Sequence, residues 1–269
     1  MWDALTATPY VYTLANYLSG GASPQWTVIH PLLSSSARQF GISSLDRDVE
    51  DIASAIAYIR ATPALGSASS RIVLMGHSTG CQDGAILQAP VSDRDSILHS
   101  IATSPAARDA ADECNRIAAA TPPDQHTGTL LPLHATRPFF GSVPVLISRW
   151  LSLASPLSPD HPADDDKFSF DLAPACVVPT VDQAVLLDRW KRVVEASAAS
   201  GGGAAAAAEL NPASGLIAGA KHNLAGDLFA QRWARQVDLP ERVMRYLDEV
   251  VAGRSSNANP AEPPVGQGL

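Results

Sequence analysis

The stretch Arg71–Gly80 (RIVLMGHSTG) joins a short apolar run to a serine that is flanked by glycines. Its first half, Arg71–Met75, is rich in β-branched residues and is typical of a buried strand. The pattern G-x-S-x-G follows at once, with Ser78 at its centre. In this pattern the serine lies at a sharp strand-to-helix turn, and flanking glycines avoid collisions with the strand and helix. We therefore interpret Ser78 as a nucleophile and expect the amide of Thr79 to face a developing oxyanion.

A serine nucleophile needs a neighbouring base, because a neutral hydroxyl reacts slowly. Among the seven histidines, His222 is the best candidate. It follows a strand candidate, Gly215–Ala220, and precedes a predicted helix, Leu224–Val237. Its position after Ser78 in the chain agrees with the order of nucleophile, acid and histidine in hydrolases of this type. We interpret the other six histidines as packing, structural or solvent-exposed side chains.

The acid that would orient the imidazole has more than one candidate. Asp93 follows the apolar run Ala85–Pro90, which lies next to the G-x-S-x-G turn. A pairing with Arg94 or a capping role would equally explain Asp93. Asp182 lies on the first turn of a predicted helix, Thr180–Ala196, where capping is the plain explanation. The third alternative is that the chain has no functional acid.

The order of predicted elements points to an α/β fold. A strand at Trp26–His30 is followed by a helix at Leu45–Arg60, capped by Ser43, and then by the strand Arg71–Met75. This rhythm is typical of a mostly parallel sheet with flanking helices. Between Ser92 and Asp171 the pattern is irregular, with one helix near 106–120, and a long irregular stretch indicates a lid over a site.

These observations predict an α/β-hydrolase-type architecture with an incomplete sheet and a lid insertion. The predicted division is a first core part at 1–95, a lid at 96–171, a second core part at 172–252 and a disordered tail at 253–269. A last helix begins at Pro240, which suits a first helical turn.

The net charge and the composition of the chain argue against some classes of binding partner. The net charge is −8 and no basic run occurs, which argues against nucleic acid and anionic membranes. No segment is long and apolar enough to cross a bilayer, and no secretory leader is recognisable, so we expect a cytoplasmic protein. The three cysteines, Cys81, Cys114 and Cys176, are scattered and fit buried packing better than a disulfide framework or metal site. We expect no metal and no cofactor.

Several segments resemble a fungal and plant α/β-hydrolase family that has long been labelled a domain of unknown function. They are Pro31–Ser36, Gly41–Val49, Gly76–Asp83, Gln88–Arg94, Arg149–Leu153 and Gly219–Leu224. The family includes fungal hydrolases that cleave ester bonds of ferric siderophores. The resemblance implies that Ser78 and His222 hydrolyse a small or medium organic ester, with siderophore-type esters as one substrate class. An acyltransferase would use the same residues with an alcohol as acceptor.

The chain also departs from the family pattern in three places. Family members carry strands and a glycine-rich oxyanion loop before the position of Met1, and Met1–Thr6 resembles the end of that loop, which makes Trp2 a second oxyanion candidate. They carry a helix and spacer where Asp83 here runs directly into Gly84, and an acidic strand that is absent before Val178.

The second departure has a structural consequence, since a parallel neighbour of the strand Arg71–Met75 needs a longer crossover than Thr79–Asp83 provides. We therefore expect Cys81–Gln88 to form the helix that closes the turn, with Pro90 ending it and one strand lost. An altered gene product would explain three gaps in one chain. The alternative function is a catalytically impaired remnant of the fold that binds a ligand or has no activity.

Overall fold

The protein is described here by a computed structural model that covers residues 8–20, 26–67, 69–83, 86–154, 187–188, 191–192, 211–218, 220–221 and 224–256. The chain divides into two compact units, one of residues 1–9 and 29–186, the other of residues 10–28 and 187–269. The helices, in chain order, are α1 (Tyr10–Gly20), α2 (Leu45–Ala61), α3 (Asp93–Thr103), α4 (Pro105–Ala120), α5 (Leu133–Phe140), α6 (Ile147–Ala154), α7 (Phe229–Trp233) and α8 (Leu239–Ser256). The strands are β1 (Met75–His77) and β2 (Ile86–Gln88).

The first unit contains a small parallel sheet of β1 and β2. Met75 pairs with Ile86 and His77 pairs with Gln88, while a 3-10 helix, Ser78–Asp83, follows β1 directly. The expected helix through Cys81–Gln88 was therefore wrong, because its second half is a strand. Strands of three residues span only roughly 7–10 Å, so a compact turn suffices to return the chain to the start of β2.

Helix α2 confirms the predicted helix at Leu45–Arg60, but its cap differs from the prediction. The hydroxyl of Ser44, not Ser43, accepts a hydrogen bond from the amide of Arg47 at 3.2 Å. The expected apolar face of this helix is poorly covered: Val49 is 51% exposed, and Ala53 is exposed as well. The helix therefore forms from its own sequence pattern and cap, with little burial to support it.

Residues 93–154 are mostly helical, and the expectation of an irregular pattern was wrong. Helices α3, α4, α5 and α6 occupy most of this range, and α4 confirms the helix predicted near 106–120. Trp150 and Leu153 on α6 are completely buried, in a core that includes Phe40 and Phe140. The rings of Phe140 and Trp150 meet edge to face, with centroids 6.3 Å apart. The assignment of 96–171 as a lid stays a prediction.

The regular secondary structure in the described residues of the second unit is helical. Helix α1 buries Tyr10, Leu14 and Leu18 on one face and contacts α8 and a π-helical turn, Ala234–Asp238. Helix α8 confirms the predicted last helix and continues to Ser256, past the expected start of the tail at Gly253. Of the helix expected at 180–196, the described residues Leu187, Asp188, Lys191 and Arg192 are helical.

Three sequence predictions in the described ranges failed for a shared reason. Residues 26–30 form no strand, and of Arg71–Met75 only Met75 is in one; residues 215–218 and 220 form none either. A strand needs a neighbour to take its backbone hydrogen bonds, and the apolar pattern does not provide one. The carbonyl of Ala213, just before the third segment, instead accepts a hydrogen bond from Nη1 of Arg242 at 2.9 Å.

Candidate active site

Ser78 occupies an unusual backbone conformation at the carboxyl end of β1. It is the residue directly after His77, and its φ angle is +57°. Few non-glycine residues adopt a positive φ, and such strain gathers at functional sites when the surrounding structure enforces it. The hydroxyl of Ser78 is thus carried by a strained turn at a strand end, as the G-x-S-x-G pattern predicts.

The two glycines of the pattern play different roles. A Cβ added to Gly76 would lie 2.1 Å from the carbonyl oxygen of Gly80 and 2.5 Å from Cα of Cys81. A Cβ added to Gly80 would meet nothing within 4 Å among the described atoms. The expectation that both glycines avoid collisions is therefore confirmed for Gly76 and wrong for Gly80. The backbone folds back against the strand, so only the glycine within the strand is crowded.

Two side chains connect β1, the turn and β2. Nδ1 of His77 donates a hydrogen bond to Oε1 of Gln88, its register partner in β2. Sγ of Cys81 lies 3.2 Å from the carbonyl oxygen of Gly76 and 3.4 Å from that of Gln88. His77 therefore has a directional role beyond the packing expected of it. Sequence reasoning missed Gln88, whose only signal was a polar residue ending an apolar run.

Cys81 and Cys114 are buried free thiols, as predicted for small packing residues. Burial raises the pKa of each thiol to about 12. A thiol in this state is protonated at neutral pH and is a poor nucleophile. Cys81 therefore packs within the turn, and its protonated thiol is not a candidate nucleophile. Cys176 lies outside the described residues.

Asp93 is the first residue of α3, which follows β2. The hydroxyl of Ser92 caps this helix by accepting a hydrogen bond from the amide of Asp95 at 2.9 Å. Because the carboxyl ends of parallel strands meet at one edge of a sheet, Ser78 after β1 and Asp93 after β2 leave the same edge. The neighbouring Arg94 is buried and donates to the carbonyl of Leu153 at 3.0 Å, which ties the start of α3 to α6.

His222, Trp2 and Asp182 lie outside the described residues, and of Thr79 only the backbone is described. The described residues nearest His222 in the chain, Lys221 and Leu224, belong to the second unit. The amide of Leu224 donates to the carbonyl of Lys221 at 3.0 Å. This hydrogen bond joins the two described residues that flank His222 in the chain. The roles of these residues remain predictions.

The serine-rich loop after residue 31 is held by two carboxylates of α2. Asp48 accepts hydrogen bonds from the amide and hydroxyl of Ser35, and Asp51 accepts one from the amide of Ser34 at 2.6 Å. Burial raises the pKa of Asp48, while hydrogen bonding to Ser34 lowers the pKa of Asp51. A cleft of about 290 Å³ opens against this loop, and Ser78 does not line it. The lining residues are Leu32, Leu33, Ser34, Ser36, Ala37, Gln39 and Asp51.

The described part of the chain contains neither a cluster of metal-ligating side chains nor a helix that could span a membrane. No group of three or more His, Cys, Asp or Glu side chains there is placed to hold a metal ion. His126 uses Nε2 in contacts with the carbonyl oxygens of Thr121 and Ala118, at 2.9 and 3.2 Å, which is a structural role. None of the helices in the described ranges has the length and apolarity that a bilayer crossing requires.

Comparison with known proteins identifies the family to which this chain belongs. The model of a family described as "Protein of unknown function (DUF1749)" matches residues 1–175. The chain belongs to this family. The match includes Ser78, β1 and β2 and helices α1 to α6, so the nucleophile candidate of this DUF1749 protein lies within the matched region.

Proteins similar to this chain include two fungal esterases and a fungal siderophore hydrolase. Fusarinine C esterase sidJ of Aspergillus fumigatus is 32% identical over 320 residues, covering 93% of this chain and 87% of that protein. Esterase AN6793 of Emericella nidulans is 27% identical, with coverages of 97% and 87%. The solved structure of siderophore hydrolase EstB from Aspergillus fumigatus matches with a TM-score of 0.67 and 32% identity, covering 93% of this chain and 88% of that one.

The alignment with the first of these esterases runs over 320 positions, whereas this DUF1749 protein has 269 residues. The esterase therefore carries segments that this chain lacks within the aligned region. This agrees with the expectation of missing segments, and the compact turn between β1 and β2 is one place where the family resemblance predicts such a loss.

Proposed function

We propose that this protein is a serine hydrolase that cleaves ester bonds of a small or medium organic substrate. The observation that carries the proposal is the strained conformation of Ser78, φ +57°, directly after β1. Gly76 makes this conformation possible, because any larger residue would collide with the backbone of Gly80 and Cys81. The similarity to named esterases supports the reaction type.

The proposed reaction assigns each group one role. Oγ of Ser78 attacks the ester carbonyl carbon, and its proton passes to the imidazole of His222. The backbone amide of Thr79, with Trp2, stabilises the negative charge on the carbonyl oxygen. When the intermediate collapses, the carbon–oxygen bond breaks and the leaving alcohol takes the proton from His222. Water then attacks the acyl-serine by the same route and releases the acid.

Asp93 is the proposed acid that orients the imidazole. Its support is topological, since it follows β2 at the sheet edge from which Ser78 also leaves. The side chain is half-buried, which favours a fixed orientation over a freely solvated one. Asp93→Asn would separate this role from that of Asp182, because only the true acid affects the activation of Ser78.

The proposed substrate class is a siderophore-type ester. Its support is the similarity to two proteins named for such activities, a fusarinine C esterase and a siderophore hydrolase. A comparison of a ferric hydroxamate ester with p-nitrophenyl butyrate as substrates tests it. A kcat/KM for the siderophore ester that does not exceed the value for the simple ester contradicts this assignment while leaving ester hydrolysis intact.

Labelling with a fluorophosphonate probe tests the reaction type. We expect the parent protein to be labelled at Ser78, and Ser78→Ala to lose both labelling and hydrolysis, with kcat reduced on the order of 10⁴–10⁶. Ser54→Ala is the matched control, because Ser54 is exposed on α2 and its hydroxyl donates to the carbonyl of Glu50 at 2.8 Å. Labelling that persists in Ser78→Ala would refute the assignment.

A specific observation favours the second candidate, a catalytically impaired remnant of the fold. The sheet in the described residues has two strands of three residues, and Leu87 within it is 37% exposed. A two-stranded sheet is marginally stable without further support. A parent protein that is folded by circular dichroism and near-ultraviolet signals, yet shows no Ser78-dependent labelling, would favour the remnant.

A further inference from the structure

The two strands of the sheet end side by side, and a strained residue follows each end. His77 ends β1 and Gln88 ends β2, and these two residues are register partners. Ser78 comes directly after His77 and has a φ angle of +57°. Ala89 comes directly after Gln88 and has a φ angle of +48°. Left-handed backbone is unfavourable for residues other than glycine, so both turns need a constraint from the surrounding structure.

The turn at Ala89 is held against a second conformational preference. Ala89 precedes Pro90, and a proline favours an extended conformation with negative φ in the residue before it. The positive φ of Ala89 departs from that preference. The chain then passes through the cap Ser92 into α3, which begins at Asp93. The end of β2 therefore directs the segment that carries Asp93.

A hydrogen bond between side chains joins the two strand ends. Nδ1 of His77 donates to Oε1 of Gln88 across the sheet. Gln88 is buried, so water competes little for this bond. Side chains paired across neighbouring strands stabilise the pairing of the strands that carry them. The bond therefore restrains the end of β1, from which Ser78 leaves, relative to the end of β2.

The thiol of Cys81 contacts the same strand ends from the turn that begins at Ser78. Its Sγ lies 3.2 Å from the carbonyl oxygen of Gly76 and 3.4 Å from that of Gln88. The second carbonyl belongs to the peptide that leads into Ala89. Burial raises the pKa of this thiol to about 12, so the sulfur keeps its proton at neutral pH and acts as a donor. The turn is therefore linked to both strands.

We propose that Gln88 is a positioning residue for Ser78 and acts through His77. The imidazole of His77 is held by Gln88, and the serine is the next residue in the chain, so the hydrogen bond fixes the direction in which the chain leaves β1. This inference rests on the proposed function of Ser78 as the nucleophile. A reacting oxygen misplaced by about 1 Å costs on the order of 100-fold in rate. Loss of the bond should therefore slow acylation of Ser78 more than it weakens substrate binding.

Variants on both strands remove the hydrogen bond in different ways. Gln88→Met keeps the length of the side chain and removes the acceptor, whereas Gln88→Glu keeps an oxygen acceptor and should behave like the parent. His77→Phe keeps a ring and removes the donor. Gln125→Met and His99→Phe are the matched controls, because both residues are exposed and lie outside the sheet. If Gln88→Met does not fold, His77→Phe breaks the same bond from the other strand.

Two NMR measurements report the geometry without a substrate. A neutral imidazole carries its proton on the nitrogen that donates, so the ring ¹⁵N signals of His77 should show a proton on Nδ1 in the parent and in Gln88→Glu. In Gln88→Met we expect this proton to redistribute toward Nε2. The Cα and Cβ signals of Ser78, which depend on its φ angle, should shift in Gln88→Met and stay in place in Gln125→Met. An unchanged tautomer and unmoved Ser78 signals in Gln88→Met would overturn the inference.

Kinetics measure the consequence for the reaction. We expect the fluorophosphonate labelling rate and kcat to fall on the order of 10–100-fold in Gln88→Met and in His77→Phe, with little change in KM. The double variant should be at most about threefold slower than either single variant, because both substitutions remove the same bond.

The outcomes separate a positioning role from a structural one. If Gln88→Met is less stable in urea but is labelled at the parent rate, Gln88 only supports the sheet and the proposal is wrong. A parent protein without Ser78-dependent labelling refutes the proposed function alone, since the NMR signals of Ser78 still decide whether Gln88 sets its conformation.

Discussion

The helices α3–α6 and the segment that contains α2, β1 and β2 belong to the same unit but differ in packing. In the helical part, Trp150 and Leu153 are fully buried among other apolar side chains. In the other part, two of the six strand residues are buried, and Tyr58 on α2 is 65% exposed. The candidate nucleophile thus lies in the less well packed region.

The difference follows from how each kind of element satisfies its backbone. A helix pairs its amides and carbonyls within its own segment, so α4 and α6 need only an apolar partner to pack against. A strand pairs with neighbours, and β1 has one neighbour among the described residues, β2. Losing a segment therefore weakens a sheet more than a helical layer, and the candidate nucleophile lies beside the sheet.

Removing the centre of the helical core should have the largest effect. Trp150→Ala deletes a buried ring that packs on Phe139 and Phe140 and leaves Asn115 without the indole donor, 2.9 Å away. We expect the free energy of unfolding to fall by about 3–5 kcal/mol, measured by urea denaturation. Tyr58→Ala is the control and should change it by less than about 0.5 kcal/mol. If Trp150→Ala and Tyr58→Ala lower the free energy of unfolding equally, Tyr58 on α2 is buried against another surface in solution.

The turn at Ser78 should respond next. Gly76→Ala forces a Cβ against the backbone of Gly80 and Cys81, which costs about 1–3 kcal/mol of stability and on the order of 100-fold in the rate of Ser78 labelling. Gly80→Ala, which has open space for its Cβ, should keep the labelling rate within about threefold. If Ser78 is labelled at the same rate in both variants, the close contacts at Gly76 do not determine the conformation of the turn that carries Ser78.

The cap of α2 offers a smaller effect with two adjacent serines. Ser44→Ala removes the hydroxyl that accepts from the amide of Arg47 and should cost about 1 kcal/mol of unfolding free energy. Ser43→Ala removes a buried hydroxyl that has no hydrogen-bond partner in the described structure, and it should be neutral or slightly stabilising. Thermal or urea unfolding of the two variants measures the difference. If Ser43→Ala instead lowers the free energy of unfolding more than Ser44→Ala does, Ser43 is the cap of this helix.

The smallest expected effect is a pH dependence of stability with opposite signs at two carboxylates. Burial raises the pKa of Asp48 above 3.8, so the folded state holds this proton more tightly and the stability contributed by Asp48 falls as pH rises from 3.8 through the folded pKa. Hydrogen bonding to Ser34 lowers the pKa of Asp51, so its contribution is present above pH 3.8 and is lost as pH falls through the folded pKa.

Urea denaturation of Asp48→Asn and Asp51→Asn between pH 2.5 and about 6.5 measures both signs. The stability of the parent relative to Asp48→Asn should decrease with rising pH, and relative to Asp51→Asn it should increase. Two slopes of the same sign would show that the Ser35 hydrogen bonds and the charge of Arg149, which lower the pKa of Asp48, outweigh its burial.

Local signals in the amino-acid sequence were sufficient for several features. The helices α2 and α8, the range of α4 and the burial of Cys81 and Cys114 follow from periodicity and residue type, and the structure agrees. The crowded Gly76 beside a serine at positive φ follows from the G-x-S-x-G pattern. Each of these depends on residues within one or two turns of chain, where propensity and side-chain shape act directly.

Other features depend on contacts that no local pattern specifies. An apolar run at residues 26–30 or 215–218 becomes a strand only if another strand lies beside it, and β2 formed where a helix was expected because β1 was available to pair with it. The hydrogen bonds of Gln231 and Arg235 with the amide of Lys221 and the carbonyl of Leu224 join positions separated by several residues and a strained turn. Tertiary structure decided these features, because hydrogen-bond partners are chosen by proximity in space.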